Sequence, residues 1–179
     1  RAAARERLSL APDEALVLVF GGSQGARRIN DAVAAAAPRL AARCAILHAA
    51  GPRGAAEATA RHAALPPAAR ARYRVVPYLD GAGMADALAA ADLVVCRAGA
   101  STLGELPARG LPALLVPLPI SGGHQWPNAR VLEAAGAAIV VPDAELDGDR
   151  LAAEVEALLD APERLAAMRT AAATLDVPD

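Results

Sequence analysis

The sequence is poor in aromatic residues and lacks several patterns on which common protein classes depend. It has one Phe, two Tyr and one Trp among 179 residues, and its arginines are scattered, so it offers little material for a nucleic-acid surface. No uncharged apolar run approaches the roughly 20 residues of a membrane-spanning helix. The first seven residues carry charges among alanines and lack the apolar core of a signal peptide. These absences predict a soluble cytoplasmic protein without a nucleic-acid partner.

Cysteines and metal-binding patterns are also scarce. Cys44 and Cys96 each lie inside an apolar run, which predicts buried free thiols rather than a disulfide. The sequence has no His-Glu-x-x-His, paired-cysteine or clustered-carboxylate motif, so we expect no metal ion. The order Gly-Ser-Gln-Gly around Ser23 differs from the Gly-x-Ser-x-Gly turn of serine hydrolases, which argues against that class.

The remaining sequence alternates short apolar runs with longer alanine-rich stretches that have high helix propensity. Strands are predicted at 15–20, 44–48, 73–77, 93–96, 113–117 and 137–141. Helices are predicted at 27–42, 54–64, 84–91, 101–109, 125–135, 147–160 and 162–175, with 65–68 as the clearest loop. This order predicts a single α/β domain over 1–179, with a Rossmann-like parallel sheet of about six strands flanked by helices. Ligands are then expected beyond the carboxyl ends of the strands.

A first candidate ligand loop follows the first predicted strand. It contains Gly21, Gly22, Ser23 and Gly25 and leads directly into a helix. Glycines allow close backbone approach, and the helix start offers unpaired N–H groups to a phosphate or a sugar hydroxyl. The dinucleotide spacing Gly-x-Gly-x-x-Gly is absent. A tight turn without a ligand remains the alternative.

A second candidate loop follows the predicted strand at 93–96 and opens another helix. Its residues are Gly99, Ala100, Ser101, Thr102, Leu103, Gly104 and Glu105. Backbone N–H groups and the two hydroxyls can hold a pyrophosphate against the helix dipole, with Glu105 one turn inside to accept both hydroxyls of a ribose. The alternative is a capping box, with Ser101 or Thr102 at the N-cap and Glu105 closing it.

A third candidate loop begins at Gly122-Gly123-His124 and leads into the predicted helix at 125–135. Gln125 and Asn128 are three residues apart, so they share a helix face, and their amides can both donate to and accept from sugar hydroxyls. Ordinary helix capping is the alternative for this pair. All three loops follow strands and open helices, so a parallel sheet brings them to one edge.

The three loops together resemble one known family. The matching segments, in the family's order, are Gly21-Gly-Ser-Gln-Gly-Ala-Arg27 with Asn30, Asp92-Leu-Val-Val-Cys-Arg-Ala-Gly-Ala100, Gly110-Leu-Pro-Ala-Leu-Leu-Val-Pro117, and Gln125 with Asn128-Ala129. The sequence is similar over nearly its whole length to the C-terminal domain of family-28 glycosyltransferases, which have the two-domain GT-B fold. It departs from the family at 81–83, which looks like a small insertion, and at His124.

The resemblance implies roles for individual residues in binding UDP-N-acetylglucosamine. Ser23 would lie at the sugar-phosphate region, Leu79 would meet the uracil, and the stretch 100–105 would take the diphosphate and ribose. Gln125 would reach the sugar, with Asn128 and Met84 as neighbours.

The resemblance also implies a reaction and partners for the whole enzyme. N-acetylglucosamine would pass with inversion, and without a metal or another cofactor, to a lipid-linked muramoyl-pentapeptide in peptidoglycan synthesis. The intact protein would lie peripherally on the cytoplasmic face of the cell membrane. Residues 1–12 would be the remnant of an interdomain linker, and the general base and most acceptor contacts would belong to an N-terminal domain absent here, so we expect the isolated chain to be inactive.

Two other functions stay open at this point. The chain can be the donor domain of another family-28 transferase that makes glycolipids from UDP-glucose or UDP-galactose. It can also be a free-standing donor-binding subunit, although a sequence that opens Arg1-Ala-Ala-Ala-Arg5 without a methionine favours a fragment.

Overall fold

A computed structural model describes residues 1–22, 26–119 and 124–175, and shows a single six-stranded sheet. Its strands are all parallel and lie in the order β3-β2-β1-β4-β5-β6. They are β1 (Leu16–Phe20), β2 (Ala45–Ala49), β3 (Tyr73–Val76), β4 (Leu93–Cys96), β5 (Ala113–Leu115) and β6 (Ala138–Val140). The fold class and six-stranded architecture predicted from the apolar runs are confirmed, with strand ends displaced by at most two residues.

Helices connect the strands and cover both faces of the sheet. They are α1 (Ala2–Arg7), α2 (Arg27–Leu40), α3 (Ala55–Ala63), α4 (Pro67–Arg72), α5 (Gly81–Ala90), α6 (Ala100–Glu105), α7 (Gln125–Ala134), α8 (Gly148–Leu159) and α9 (Pro162–Ala173). A short 3-10 helix at Pro107–Arg109 continues α6. The described part of the chain contains no helix that is both long and apolar enough to span a membrane.

The core lies in two layers because successive strand residues point to opposite faces. Val17 and Val19 of β1 pack with buried residues of α2 and α8 on one face. Leu16 and Leu18 pack with buried residues of α5 and α7 on the other face. Burial on both faces explains why β1, β4 and β5 are continuously apolar rather than alternating.

The sheet reverses its strand order at β1, and this reversal determines where a ligand can bind. The connection after β1 leads to β2 on one side and the connection after β4 leads to β5 on the other, so the two connections diverge from adjacent strands. A crevice opens between diverging connections of this kind. Gly22 after β1, and Ser101 and Glu105 of α6, lie at that edge of the sheet.

Two helices were not predicted as such. α4 begins inside the segment expected to be a loop, because Pro67 occupies its first turn, where a missing N–H costs nothing. α1 lies within the expected linker segment 1–12 and packs against α5. The buried guanidinium of Arg5 donates to the carbonyl oxygens of Ala90 at 3.1 Å and Ala11 at 2.8 Å, which fastens this segment to the domain.

The segment expected to be a small insertion, 81–83, forms the first turn of α5. Asp80 caps this helix, since its carboxylate accepts a hydrogen bond from the backbone N–H of Gly83 at 2.7 Å. The helix therefore starts three residues before the predicted position at 84. This early start brings Leu79 and Met84 to the carboxyl edge of the sheet.

Candidate nucleotide-binding site

A cleft of about 290 Å³ lies at the carboxyl edge of β1, β2 and β3, beside the N-terminal half of α5 and one face of α6. It contains Gly22, Leu79, Met84, Ser101 and Glu105, five of the residues predicted from the sequence. The other lining residues are Phe20, Ala49, Gly51, Pro77, Tyr78, Asp80 and Gly81. Gly22 of the first predicted loop therefore meets Ser101 and Glu105 of the second, although they are about 80 residues apart in the sequence.

The cleft has an apolar wall and a polar wall. Leu79 and Met84 are half-buried and give an apolar surface, whereas Ser101 and Glu105 are exposed on α6. Residues four apart on a helix lie on one face, so the Ser101 hydroxyl and the Glu105 carboxylate point to the same side. This arrangement suits a ligand with a flat apolar part and neighbouring hydroxyl groups.

The start of α6 differs from the capping box that the sequence allowed as an alternative. Gly99 is the N-cap, and the helix begins at Ala100 without a side-chain cap. Ser101 and Thr102 therefore lie inside the first turn, so the capping-box interpretation is wrong. The Thr102 N–H donates to the carbonyl oxygen of Gly99 at 3.1 Å, so the N–H groups of Ala100 and Ser101 are the ones that a helix start of this kind offers to a ligand.

Thr102 is buried, and its hydroxyl donates to the carbonyl oxygen of Arg97 at 3.0 Å. This bond closes the turn between β4 and α6. The Thr102 hydroxyl proton therefore faces the turn, whereas the neighbouring Ser101 and Glu105 side chains face the cleft. Leu103 is half-buried and Gly104 exposed on the same short helix.

Gln125 and Asn128 connect α7 to the two preceding strands. The Gln125 side chain accepts a hydrogen bond from the backbone N–H of Leu118 at 2.9 Å. Asn128 donates through Nδ2 to the carbonyl oxygen of Ala98 at 3.0 Å. The N-cap of α7 is His124, and the hydrogen bonds of both amides go to backbone groups outside α7 rather than to its first-turn N–H groups. Both amides lie beside the loops but outside the residues that line the cleft.

Parts of two predicted loops lie outside the described residues. These are Ser23, Gln24 and Gly25 in the first loop and Gly122 and Gly123 in the third. Gly21 is half-buried at the end of β1, and Gly22 has a φ of 85°, a left-handed conformation that favours glycine. The roles expected for Ser23 and Gly25 stay predictions.

Sequence reasoning missed a buried polar chain beside the cleft. His48 is fully buried, with Nδ1 2.9 Å from the Tyr73 hydroxyl and Nε2 2.9 Å from Oδ1 of Asn30. Burial lowers the pKa of His48 to about 4, and burial also raises the pKa of Tyr73. The available signal was a histidine within an otherwise apolar strand.

An ion pair of low exposure fastens the carboxyl edge on the other side of β1. The Arg97 guanidinium lies 2.5 Å from Asp143 Oδ1 and 3.1 Å from the carbonyl oxygen of Val116, to which it donates. The side chains of Arg97 and Asp143 are 11% and 16% exposed. This pair joins the ends of β4 and β5 to the segment after β6.

A second, larger cavity of about 440 Å³ lies between α2 and α3. Its wall contains Arg61, which pairs with Asp31 at 3.1 Å and with Glu57 at 2.6 Å. It contains none of the residues predicted to bind the donor. We therefore take the smaller cleft, with its apolar and hydroxyl-accepting walls, as the candidate site.

Neither metal binding nor thiol chemistry is evident in this region. Among residues 1–22, 26–119 and 124–175, no group of three or more His, Cys, Asp or Glu side chains is placed to hold a metal ion. Cys44 and Cys96 are free and buried, as predicted, and burial raises the pKa of both thiols to about 12. At neutral pH both thiols are therefore protonated and unreactive.

Comparison with known proteins identifies relatives over the whole chain. The family model described as "Glycosyltransferase family 28 C-terminal domain" matches residues 16–179. The UDP-N-acetylglucosamine--N-acetylmuramyl-(pentapeptide) pyrophosphoryl-undecaprenol N-acetylglucosamine transferase of Mycobacterium avium is 48% identical over 180 residues, covering 100% of this chain and 42% of that protein. The protein of the same name from Mycolicibacterium smegmatis is 47% identical, with 100% and 45% covered.

A solved structure gives the same result at the level of the fold. The crystal structure of MurG from Acinetobacter baumannii superimposes with a TM-score of 0.77 at 30% sequence identity. The match covers 94% of this chain and 48% of that one. The chain thus spans less than half the length of the curated relatives it matches.

Proposed function

Because the chain belongs to the glycosyltransferase family 28 C-terminal domains, we propose that it is the donor-binding half of an N-acetylglucosaminyltransferase. The donor is UDP-N-acetylglucosamine and the acceptor is a lipid-linked muramoyl-pentapeptide, in line with the names of the mycobacterial relatives. The single observation that carries the proposal is the cleft in which Leu79 and Met84 face Ser101 and Glu105.

The chemistry of the cleft fits a uridine nucleotide. The apolar wall formed by Leu79 and Met84 suits a flat base, which gains affinity from burial of its apolar faces. An ionised carboxylate at Glu105 can only accept hydrogen bonds, which matches the two hydroxyl donors of a ribose. The first turn of α6 then lies next to the diphosphate, where its N–H groups stabilise negative charge.

In this proposal the chain binds and orients the donor and stabilises the leaving diphosphate. The N–H groups at the start of α6, together with the glycine loop after β1, would offset the charge that develops on the diphosphate as the sugar transfers. The general base and most acceptor contacts belong to the part of the relatives that this chain does not cover. The intact enzyme would work in the cytoplasm, peripherally on the membrane that holds the lipid-linked acceptor.

Calorimetric titration of the chain with UDP-N-acetylglucosamine, UDP-glucose, UDP and GDP tests the proposal. We expect both UDP and UDP-N-acetylglucosamine to bind more tightly than GDP, because the proposed donor carries a uridine nucleotide. Tighter binding of UDP-glucose than of UDP-N-acetylglucosamine would favour a glycolipid transferase instead. Equal binding of UDP and GDP would contradict a uridine site.

A further inference from the structure

We infer that Asn30 and His48 are positioning residues for the donor cleft, acting through the backbone loop that follows β2. They do not line the cleft, but they hold the segment 49–54, of which Ala49 and Gly51 form one wall. The inference rests on the proposed function for the identity of the ligand. It assigns a role to buried polar side chains that do not themselves contact the nucleotide cleft.

The direction of each hydrogen bond among Asn30, His48 and Tyr73 follows from the backbone carbonyl at one end, which can only accept. The carbonyl oxygen of Ala50 can only accept, so Asn30 Nδ2, 2.8 Å away, is the donor. Asn30 Oδ1 must then accept from His48 Nε2, which therefore carries the imidazole proton. His48 Nδ1 is left as an acceptor for the Tyr73 hydroxyl. With His48 neutral and protonated at Nε2, each of these hydrogen bonds has one donor and one acceptor.

The loop after β2 is closely fitted to the Asn30 amide. A Cβ atom added at Gly54 would lie 2.2 Å from Asn30 Nδ2 and 2.9 Å from the carbonyl oxygen of Ala50, so only glycine fits there. The Gly54 N–H donates to the carbonyl oxygen of Gly51 at 3.1 Å, which closes the turn. Gly51 itself has a φ of 78° and faces the cleft. The loop thus has Asn30 on one side and the ligand cleft on the other.

His48 determines which way the Asn30 amide points. Asn30 is 8% exposed and borders the larger cavity between α2 and α3, but its Oδ1 faces the fully buried His48, so a lost partner on that side is not replaced by bulk water. Without the His48 Nε2 donor, the Asn30 amide loses the bond that keeps Oδ1 toward the sheet and Nδ2 toward Ala50. The carbonyl of Ala50 is then no longer held, and the wall formed by Ala49 and Gly51 can shift.

Two substitutions of His48 separate positioning from core packing. His48→Gln places an amide N–H near the position of Nε2 and keeps a donor for Asn30, whereas His48→Leu keeps the bulk and removes the donor. Val155→Ala in α8 is the control, because it opens a cavity in the same core layer without contact with the loop. For each variant, the UDP dissociation constant is measured by calorimetry and the thermal midpoint by circular dichroism.

We expect His48→Leu to raise the UDP dissociation constant by about tenfold and His48→Gln to stay within about threefold of the wild type, the scale of one buried hydrogen bond. Val155→Ala should lower the thermal midpoint yet leave the dissociation constant within about twofold. Equal binding by the wild type and His48→Leu overturns the inference. So does equal weakening in His48→Leu and His48→Gln, or an equal loss in Val155→Ala.

Amide hydrogen exchange of the ligand-free chain gives a readout that is independent of the proposed function. The N–H groups of Ala50 and Gly54 should exchange faster in His48→Leu than in the wild type, His48→Gln or Val155→Ala. If the wild type does not bind UDP, the proposed function fails, and exchange at these two amides still decides the positioning role. Unchanged exchange in His48→Leu overturns that role.

Discussion

Asn128 donates from Nδ2 to the carbonyl oxygen of Ala98 at 3.0 Å, and this bond fastens the first turn of α7 to the loop that opens α6. The sequence resemblance had indicated that Asn128 lies near the donor sugar. In the structure, this hydrogen bond joins the second candidate loop to the helix that follows the third. The position of the α6 start therefore depends on α7 as well as on β4.

Asn128→Asp tests this connection because it keeps the size of the side chain and replaces the donor with an acceptor that faces the Ala98 carbonyl oxygen. We expect the free energy of unfolding to fall by about 1–2 kcal/mol, as for a buried acceptor that loses its partner. Urea denaturation measures the change. Glu133→Gln, on the exposed side of the same helix, should change it by less than about 0.5 kcal/mol. Equal stability of Asn128→Asp and the wild type would show that this hydrogen bond does not stabilise the fold.

The Arg97–Asp143 pair should matter more than the exposed ion pairs of the same chain. Arg97→Met leaves the Asp143 carboxylate without its nearest partner in a site of low exposure, so we expect a loss of about 2 kcal/mol, between the values for surface and buried pairs. Arg43→Met is the matched control, since Arg43 and Asp160 are 42% and 60% exposed. The control should lose less than about 0.5 kcal/mol. Similar losses for both variants would contradict a special role for Arg97.

The buried state of His48 predicts a decline in stability at mildly acidic pH. Its folded-state pKa of about 4 lies below the ordinary value near 6.5, so the unfolded chain binds a proton that the folded chain does not. The contribution of His48 is therefore fully present above pH 6.5 and is lost as the pH falls toward 4. Between pH 7.5 and 5, the wild type should lose about 2 kcal/mol more than His48→Gln, at about 1.4 kcal/mol per pKa unit.

Urea denaturation of both proteins at the two pH values measures this difference. A glutamine side chain does not titrate, so the His48→Gln variant reports the contribution of all other groups. A difference between the two proteins that is the same at pH 7.5 and pH 5 would mean that His48 is not held neutral in the fold.

The fold could be predicted because its strands are mostly apolar and are followed within a few residues by glycine or proline. The run at 93–96, between Asp92 and Arg97, coincides with β4. Short helices were harder to predict. Pro66 and Pro67 indicated a loop, although Pro67 is well placed at the start of α4. Gly81 and Gly83 have low helix propensity, so the first turn of α5, which Asp80 caps, was not predicted.

The cleft was predicted in part. Leu79, Met84, Ser101 and Glu105 meet there as expected, because loops at the carboxyl ends of neighbouring parallel strands converge. The chain from Tyr73 through His48 to Asn30 joins residues 25 and 18 positions apart, on two strands and a helix. The register of β2 against β3 and the packing of α2 bring these three side chains together. Neither feature can be predicted from a local sequence pattern.

The measurement that tests the central claim most directly compares UDP with 2′-deoxy-UDP on the wild type, Glu105→Ala and the control Glu163→Ala in α9. If Glu105 accepts the ribose hydroxyls, removing the 2′-hydroxyl should weaken binding to the wild type and to Glu163→Ala by about tenfold, as expected for a hydrogen bond to a charged group. Glu105→Ala should bind both ligands equally and weakly. A 2′-hydroxyl effect that persists in Glu105→Ala, or no binding of UDP to the wild type, would contradict the assignment of this cleft as the donor site.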